Sequence, residues 1–234
     1  MKLLKKSLLA LATAAAMATP AFAVPVNVGG IVWDPDSGID FSMGGIFSQA
    51  FNNPAAPLGS ILSGYGEVSG INGLTNFCQA GPNCKLTFVF DGYVLAAGAG
   101  LTFPKTFNNG TIKLFVDTDV AADTSIATAS DGVLWADMVA NPLFGFSLFV
   151  AQAFTNAQGT GYLDVIGGLA QGNLDTNVFL GADLSFGSTV SLVNNNGGNG
   201  TFTLNGNSVP EPGSLALLGL GLVGLAAARR RKAA

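Results

Sequence analysis

The residues able to do chemistry are few. Histidine is absent, which removes imidazole bases, Ser-His-Asp and Cys-His catalysis, and every His-ligated metal. Two acidic runs remain as candidate cation sites. In the first, Asp34, Asp36 and Asp40 stand at positions one, three and seven of a turn-rich segment; in the second, Asp117 and Asp119 are followed by Asp123. A hard cation such as calcium is held by roughly six to eight oxygens gathered on a loop. The first run lacks the third ligand, the glycine and the glutamate of an EF-hand loop. The competing reading of both is solvated turns whose Asp side chains cap backbone amides. Calcium is thus the one cofactor the acids suggest. Paired carboxylates also serve glycoside hydrolysis, but no pair stands out, and Glu67 is the only glutamate before Glu211. The residues point away from an enzyme.

Cys78 and Cys84 enclose Gln-Ala-Gly-Pro-Asn. Two cysteines cannot build a structural zinc site, and the spacing is not that of a C-x-x-C redox pair. In an oxidising compartment they predict a disulfide clamping a hairpin loop, worth about 2 kcal/mol at most for so small a ring. Charge narrows the partners. Between residues 24 and 208 only Lys85, Lys105 and Lys113 oppose 13 carboxylates, a net charge of −10 against −4 for the whole chain. A body with no basic face does not bind nucleic acid.

The other cations sit at the two ends. Lys2, Lys5 and Lys6 precede an apolar stretch from Leu8 to Met17 and the small-x-small pattern Ala21-Phe-Ala23. This is the order of a secretory signal peptide, residues 1–23, with cleavage after Ala23. At the other end Val209, Pro210, Glu211 and Pro212 precede an uncharged run, 214–228, and then Arg229, Arg230, Arg231 and Lys232. As a helix that run spans about 22 Å at roughly 1.5 Å per residue. It is a short transmembrane helix for a bilayer core of about 30 Å, and its basic tail stays cytoplasmic. The two prolines keep the segment before it extended.

These three parts resemble the PEP-CTERM sorting signal of Gram-negative bacteria. The resemblance covers residues 209–234 alone. It implies processing by exosortase, a membrane-embedded enzyme that removes the helix and the basic tail. It also implies passage through an inner-membrane intermediate to the cell surface or extracellular matrix, in company with exopolysaccharide.

The body, 24–208, has no long amphipathic helical pattern and no fixed-period repeat. Short alternating runs at 85–90, 110–116, 144–150 and 201–204 read as strands. Asp91-Gly92, Asn109-Gly110, Asp131-Gly132 and Asn205-Gly206 read as turns between them. Residues 133–139 fit either a strand or two turns of helix, while 52–59, 167–177 and 194–200 read as loops. The expected fold is all-β: a single antiparallel sandwich or barrel-like domain. Sixteen Phe with Trp33 and Trp135 supply its core. The expected function is that of a surface or matrix structural protein in biofilm or floc formation. The alternative is a secreted carbohydrate-binding module that stacks sugars on Trp33, Tyr65, Tyr93 or Trp135.

Overall fold

The computed structural model describes residues 25–35, 40–100, 102–143, 146–152, 156–192 and 197–208, with backbone alone at 146–152, 192 and 197. The signal peptide with its cleavage pattern at Ala21 and Ala23, Asp36, and the sorting segment from Val209 onward lie outside the described residues.

The strands are β1 (Val26–Val28), β2 (Ile31–Trp33), β3 (Phe41–Phe51), β4 (Ile61–Ile71), β5 (Lys85–Ala97), β6 (Lys105–Asn108), β7 (Thr111–Asp117), β8 (Val133–Ala140), β9 (Phe146–Gln152), β10 (Asn156–Gly167), β11 (Leu184–Leu192) and β12 (Gly197–Gly206). β1 and β2 form a small hairpin of their own. The rest form an eight-stranded antiparallel barrel. Each stave pairs with the next along the chain, and β12 returns to pair with β3 from Phe41↔Gly206 to Ala50↔Gly197. Of the two expected architectures the chain adopts the barrel.

Two staves of the barrel are double. β6 and β7 lie end to end along the same side of β5, in one unbroken register: Val94 faces Asn108 and Asp91 faces Thr111. The Asn109-Gly110 pair, expected to turn the chain back, only interrupts this stave. Both residues have positive φ, 60° and 102°, and the Tyr93 ring lies where a Gly110 side chain would be. Thirteen residues of β5 template the stave and override the local turn preference. β8 and β9 form the second double stave, against β7 and β6 on one side and β10 on the other.

Other expected turns fail for the same reason. Asp91-Gly92 lies inside β5, as a bulge in which both residues oppose Ser63 of β4, and Asn205-Gly206 lies in β12, held by β3. The glycine-rich run read as a loop to residue 200 already enters β12 at Gly197. Residues 133–139 resolve as strand β8, and the loop read at 167–177 contains a short helix, Gln171–Leu174.

The interior follows from the width. Eight strands leave room only for side chains or one small ligand. β3 alternates between buried Phe41, Met43, Phe47, Gln49 and Phe51 and outward-facing neighbours. Large rings face glycines on the adjacent strand: Phe202 opposite Gly45, Phe47 opposite Gly200, Phe90 opposite Gly64 and Phe88 opposite Gly66. A Cβ added at Gly45 would stand 2.7 Å from the Phe202 ring, and one at Gly66 would stand 2.6 Å from the Phe88 ring. The rings then pack on one another, Phe88 with Phe202 at 4.6 Å and Phe47 with Phe90 at 6.0 Å, both edge to face.

The up-and-down order separates two ends. The base holds the β4–β5, β7–β8 and β10–β11 connections and both ends of the barrel chain, Phe41 and Gly206. The β1–β2 hairpin belongs to this end. Its Trp33 packs edge to face on Phe41 at 5.6 Å and on Trp135 at 5.9 Å, while Trp135 Nε1 donates to the Val28 carbonyl at 2.9 Å. Thr87 and Phe115 point outward yet are buried. A 3₁₀ turn at Thr128–Ser130 covers them, and Thr87 Oγ1 donates to the Ala129 carbonyl at 2.8 Å.

Gly66→Ala is expected to destabilise the barrel by about 1–3 kcal/mol, because the Phe88 ring and the Ile46 carbonyl leave no room for a methyl. Gly172→Ala, in the short helix with open space around it, should be neutral or stabilising by about 0.5 kcal/mol. Urea unfolding of the two variants checks the contrast.

Candidate functional site

The charged cluster at the base is the densest polar feature of the barrel. Lys85 opens β5 and faces Asp117, the last residue of β7. Beyond Asp117 the chain turns sharply: the Asp119 amide donates to Asp117 Oδ1 at 2.8 Å, and the Ala121 amide to Asp119 Oδ1 at 2.9 Å. These are the capping turns that Asp favours, and they fold the carboxylates back over the lysine. Lys85 Nζ lies 3.0 Å from Asp117 Oδ2, 3.1 Å from Asp119 Oδ1 and 2.8 Å from Asp123 Oδ2, and donates to the Ala121 carbonyl at 2.6 Å. Burial opposes the charge on Lys85, but its hydrogen bonds to Asp123, Asp117 and Asp119 outweigh that and raise the ammonium above its ordinary range. Burial likewise pushes the Asp117 carboxyl up. The Asp119 amide and Lys85 overcome that and hold it below the ordinary carboxylate range.

The second acidic run of the sequence therefore does converge: Asp117, Asp119 and Asp123 meet around one lysine. Asp131, which sequence reasoning missed, also comes close; one carboxylate oxygen each from Asp117, Asp123 and Asp131 lie within 4.8 Å of one another. Three carboxylates at that spacing could hold a metal ion. The Lys85 ammonium already supplies positive charge to two of them, so a calcium ion there would have to displace it. The first acidic run is organised differently. Asn72 Nδ2 donates to the main-chain carbonyls of Asp34 at 2.7 Å and Asp40 at 3.2 Å, and Asn72 Oδ1 accepts from the Ser42 amide at 2.7 Å. A side-chain amide thus joins Asp34 and Asp40 through their backbone atoms.

Two further buried ions steady the loops. Asp183 is buried in the β10–β11 connection and accepts from the amides of Val165, Thr176 and Asn177 at 2.6–2.8 Å. Lys105 is buried at the opposite end, where Nζ donates to the carbonyls of Gly98 at 2.6 Å and Gly100 at 2.7 Å beneath the Phe103 ring. Burial lowers its pKa. Lys113, the last of the three body lysines, pairs with Asp137 at 3.3 Å. The scarcity of lysine was the signal that could have singled these residues out.

Cys78 and Cys84 are joined, with Cα atoms 5.4 Å apart. Their loop latches the β1–β2 hairpin: Val32 N donates to Phe77 O at 2.8 Å, and Gln79 N to Gly30 O at 2.7 Å. Of the four aromatics considered for sugar stacking, Trp33, Trp135 and Tyr93 are buried, and Tyr65 is half-buried on β4. They form no exposed row. Among the described residues no helix is long and apolar enough to cross a membrane, and the 214–228 run lies outside them.

The barrel ends at Gly206, and only Asn207 and Ser208 separate it from the sorting segment. Residues 208–232 match the PEP-CTERM protein-sorting motif. No curated protein and no solved structure matches the chain. The motif marks an exported protein that passes through the membrane on its way out and is sorted by exosortase.

Lys85→Met should destabilise the barrel at neutral pH by about 1–3 kcal/mol, since Asp117 and Asp123 would keep their burial without their cation. The depressed Asp117 carboxyl stabilises the fold above its unfolded pKa, about 3.9, and that contribution is lost as pH falls through the folded value. Wild type should therefore lose stability on acidification below about pH 4 more steeply than Lys85→Met. Denaturant midpoints measured between neutral and acidic pH decide this.

Proposed function

We propose that this exosortase-sorted export is a structural protein of the cell surface or extracellular matrix, working with exopolysaccharide in biofilm or floc formation. The observation that carries the reading is the polarity of the barrel. β12 delivers the chain to the sorting motif at the base, and the 52–60 connection and the buried Lys105 belong to the opposite end. Ser208 and the apolar run from Ser214 are six residues apart, about 20 Å when extended. While that run is in the inner membrane, the base stands close to the bilayer and the far end points outward. Release of the tail then frees a closed, rigid unit with no long unpaired edge on its eight-strand ring. A net charge of −10 on the body keeps it soluble and makes divalent ions such as calcium its natural counter-ions.

A carbohydrate-binding module is the competing reading. It draws less support, because three of its four candidate aromatics are spent on the core. A structural role needs no exposed aromatic row; it needs a body that survives outside the cell. The closed barrel, the disulfide and the plugged base suit that requirement.

Deleting Val209–Ala234 should release the body as a soluble secreted protein and lower its amount in the surface and matrix fractions at least tenfold. Unchanged surface retention in the deletion strain would overturn the sorting-dependent role. If the matrix role holds, the same strain should also form less biofilm than wild type. A Tyr65→Ala variant should bind the organism's own polysaccharide as wild type does; loss of binding without unfolding would favour the carbohydrate module.

A further inference from the structure

The middle of the barrel is not completely filled. A cavity there lies among the rings of Phe47, Phe88, Phe90, Phe186 and Phe202, with Met43 and Leu62 completing its apolar wall. Its walls bound about 560 Å³ of unfilled space, counted out to the open mouth, and about 30 Å³ of that admits the centre of a water molecule. The space is therefore narrow. No Asp, Glu, Lys or Arg lines it.

Two polar side chains break the apolar lining, Gln49 on β3 and Ser188 on β11, beside the Tyr93 phenol. Gln49 carries the argument. It is 9 % exposed and lines the cavity, a polar side chain among rings and aliphatic groups. An amide set in an apolar wall is the group there that can hydrogen-bond a guest, where an apolar residue of the same size could not. The inward positions beside it in the barrel carry no such group: Gln49 faces Gly64 on one side and Gly198 on the other. Glycine neighbours leave the amide room to reach into the cavity.

We propose that the barrel interior is a binding site for a small uncharged molecule: one aromatic ring or short alkyl body carrying a single hydrogen-bonding group. The rings enclose the body, and Gln49, with Ser188, engages the polar group. The chemistry of the wall sets the class. A carboxylate or an amine would lose its hydration with no counter-charge to meet it. A sugar would bring several hydroxyls to two polar side chains and leave the rest unpaired. An uncharged ring with one hydroxyl loses little and matches both parts of the wall.

The test uses benzyl alcohol as the probe, toluene as its analogue without the hydroxyl, and benzoate and glucose as the excluded classes. The purified protein is labelled at its methionine methyl groups. Met43 lines the cavity; Met138, also buried, does not. Benzyl alcohol should shift the Met43 methyl resonance, leave Met138 in place, and raise Tm by about 5 °C near a hundredfold excess over Kd. Benzoate and glucose should do neither. Gln49→Leu should weaken benzyl alcohol about tenfold, the worth of one hydrogen bond, and leave toluene unchanged. A Met43 resonance that does not move with benzyl alcohol or toluene overturns the site. Equal binding of benzyl alcohol by wild type and Gln49→Leu overturns the role of the amide, and an equal response to benzoate or glucose overturns the assigned class.

Discussion

The pairing of phenylalanine rings with glycines on the neighbouring strand is the interaction on which this barrel depends. Eight strands close on a narrow interior. A ring can turn inward only where the residue beside it across the sheet takes no space. Gly45, Gly64, Gly66 and Gly200 provide that space to Phe202, Phe90, Phe88 and Phe47. The rings in turn cover glycine backbone that would otherwise be poorly packed, the compensation described for aromatic residues over strand glycines. The exchange explains a composition that looks unsuited to strands. Glycine weakens a strand taken alone; inside this barrel it is what lets the strand carry its neighbour's ring.

Closure has a second consequence. Because each stave pairs with its successor and the last pairs with the first, the barrel chain enters and leaves at the same end. That end is therefore the one with most to hold in place, and the buried polar devices concentrate there. The β1–β2 hairpin contributes Trp33 to the floor of the core, and the disulfide loop pins the hairpin through backbone hydrogen bonds. Asp183 gathers three amides of one connection, and Lys85 gathers three carboxylates of another. These loops are long, and each is ordered around a single ion. The opposite end relies on Lys105, which closes the 98–104 connection through two carbonyls.

The acidic character of the body is thus distributed unevenly. Three lysines are each tied to a carboxylate or a carbonyl, while Glu67, Asp91, Asp119, Asp131 and Asp175 are exposed. A surface of one sign keeps such a protein dispersed and draws counter-ions to it. The interior is the converse, apolar apart from a few neutral polar groups. An exported unit built this way meets charged surroundings outside and offers an uncharged environment within.

Much of the architecture was legible in the residues themselves. The alternation at 85–90 and 110–116 placed β5 and β7, and the spacing of Cys78 and Cys84 gave their bond. The ends of the chain, read from basic, apolar and proline-bearing segments, announced export and sorting, and the motif at 208–232 is local enough to need no fold. The tertiary structure decided what depends on partners distant in the chain. It chose the barrel over the sandwich, because that choice lies in the pairing of β12 with β3 and leaves no local mark. It turned Asn109-Gly110 from a turn into a break between two strands of one stave and Asp91-Gly92 into a bulge within β5, because long neighbours supplied hydrogen bonds a hairpin would have forgone. It drew Lys85 into Asp117, Asp119 and Asp123, a meeting set by the register of β5 against β7. It also spent Trp33, Tyr93 and Trp135 on the core. Local propensity acts over a few residues, whereas register and closure act across the whole sheet; where the two disagreed in this chain, the sheet prevailed.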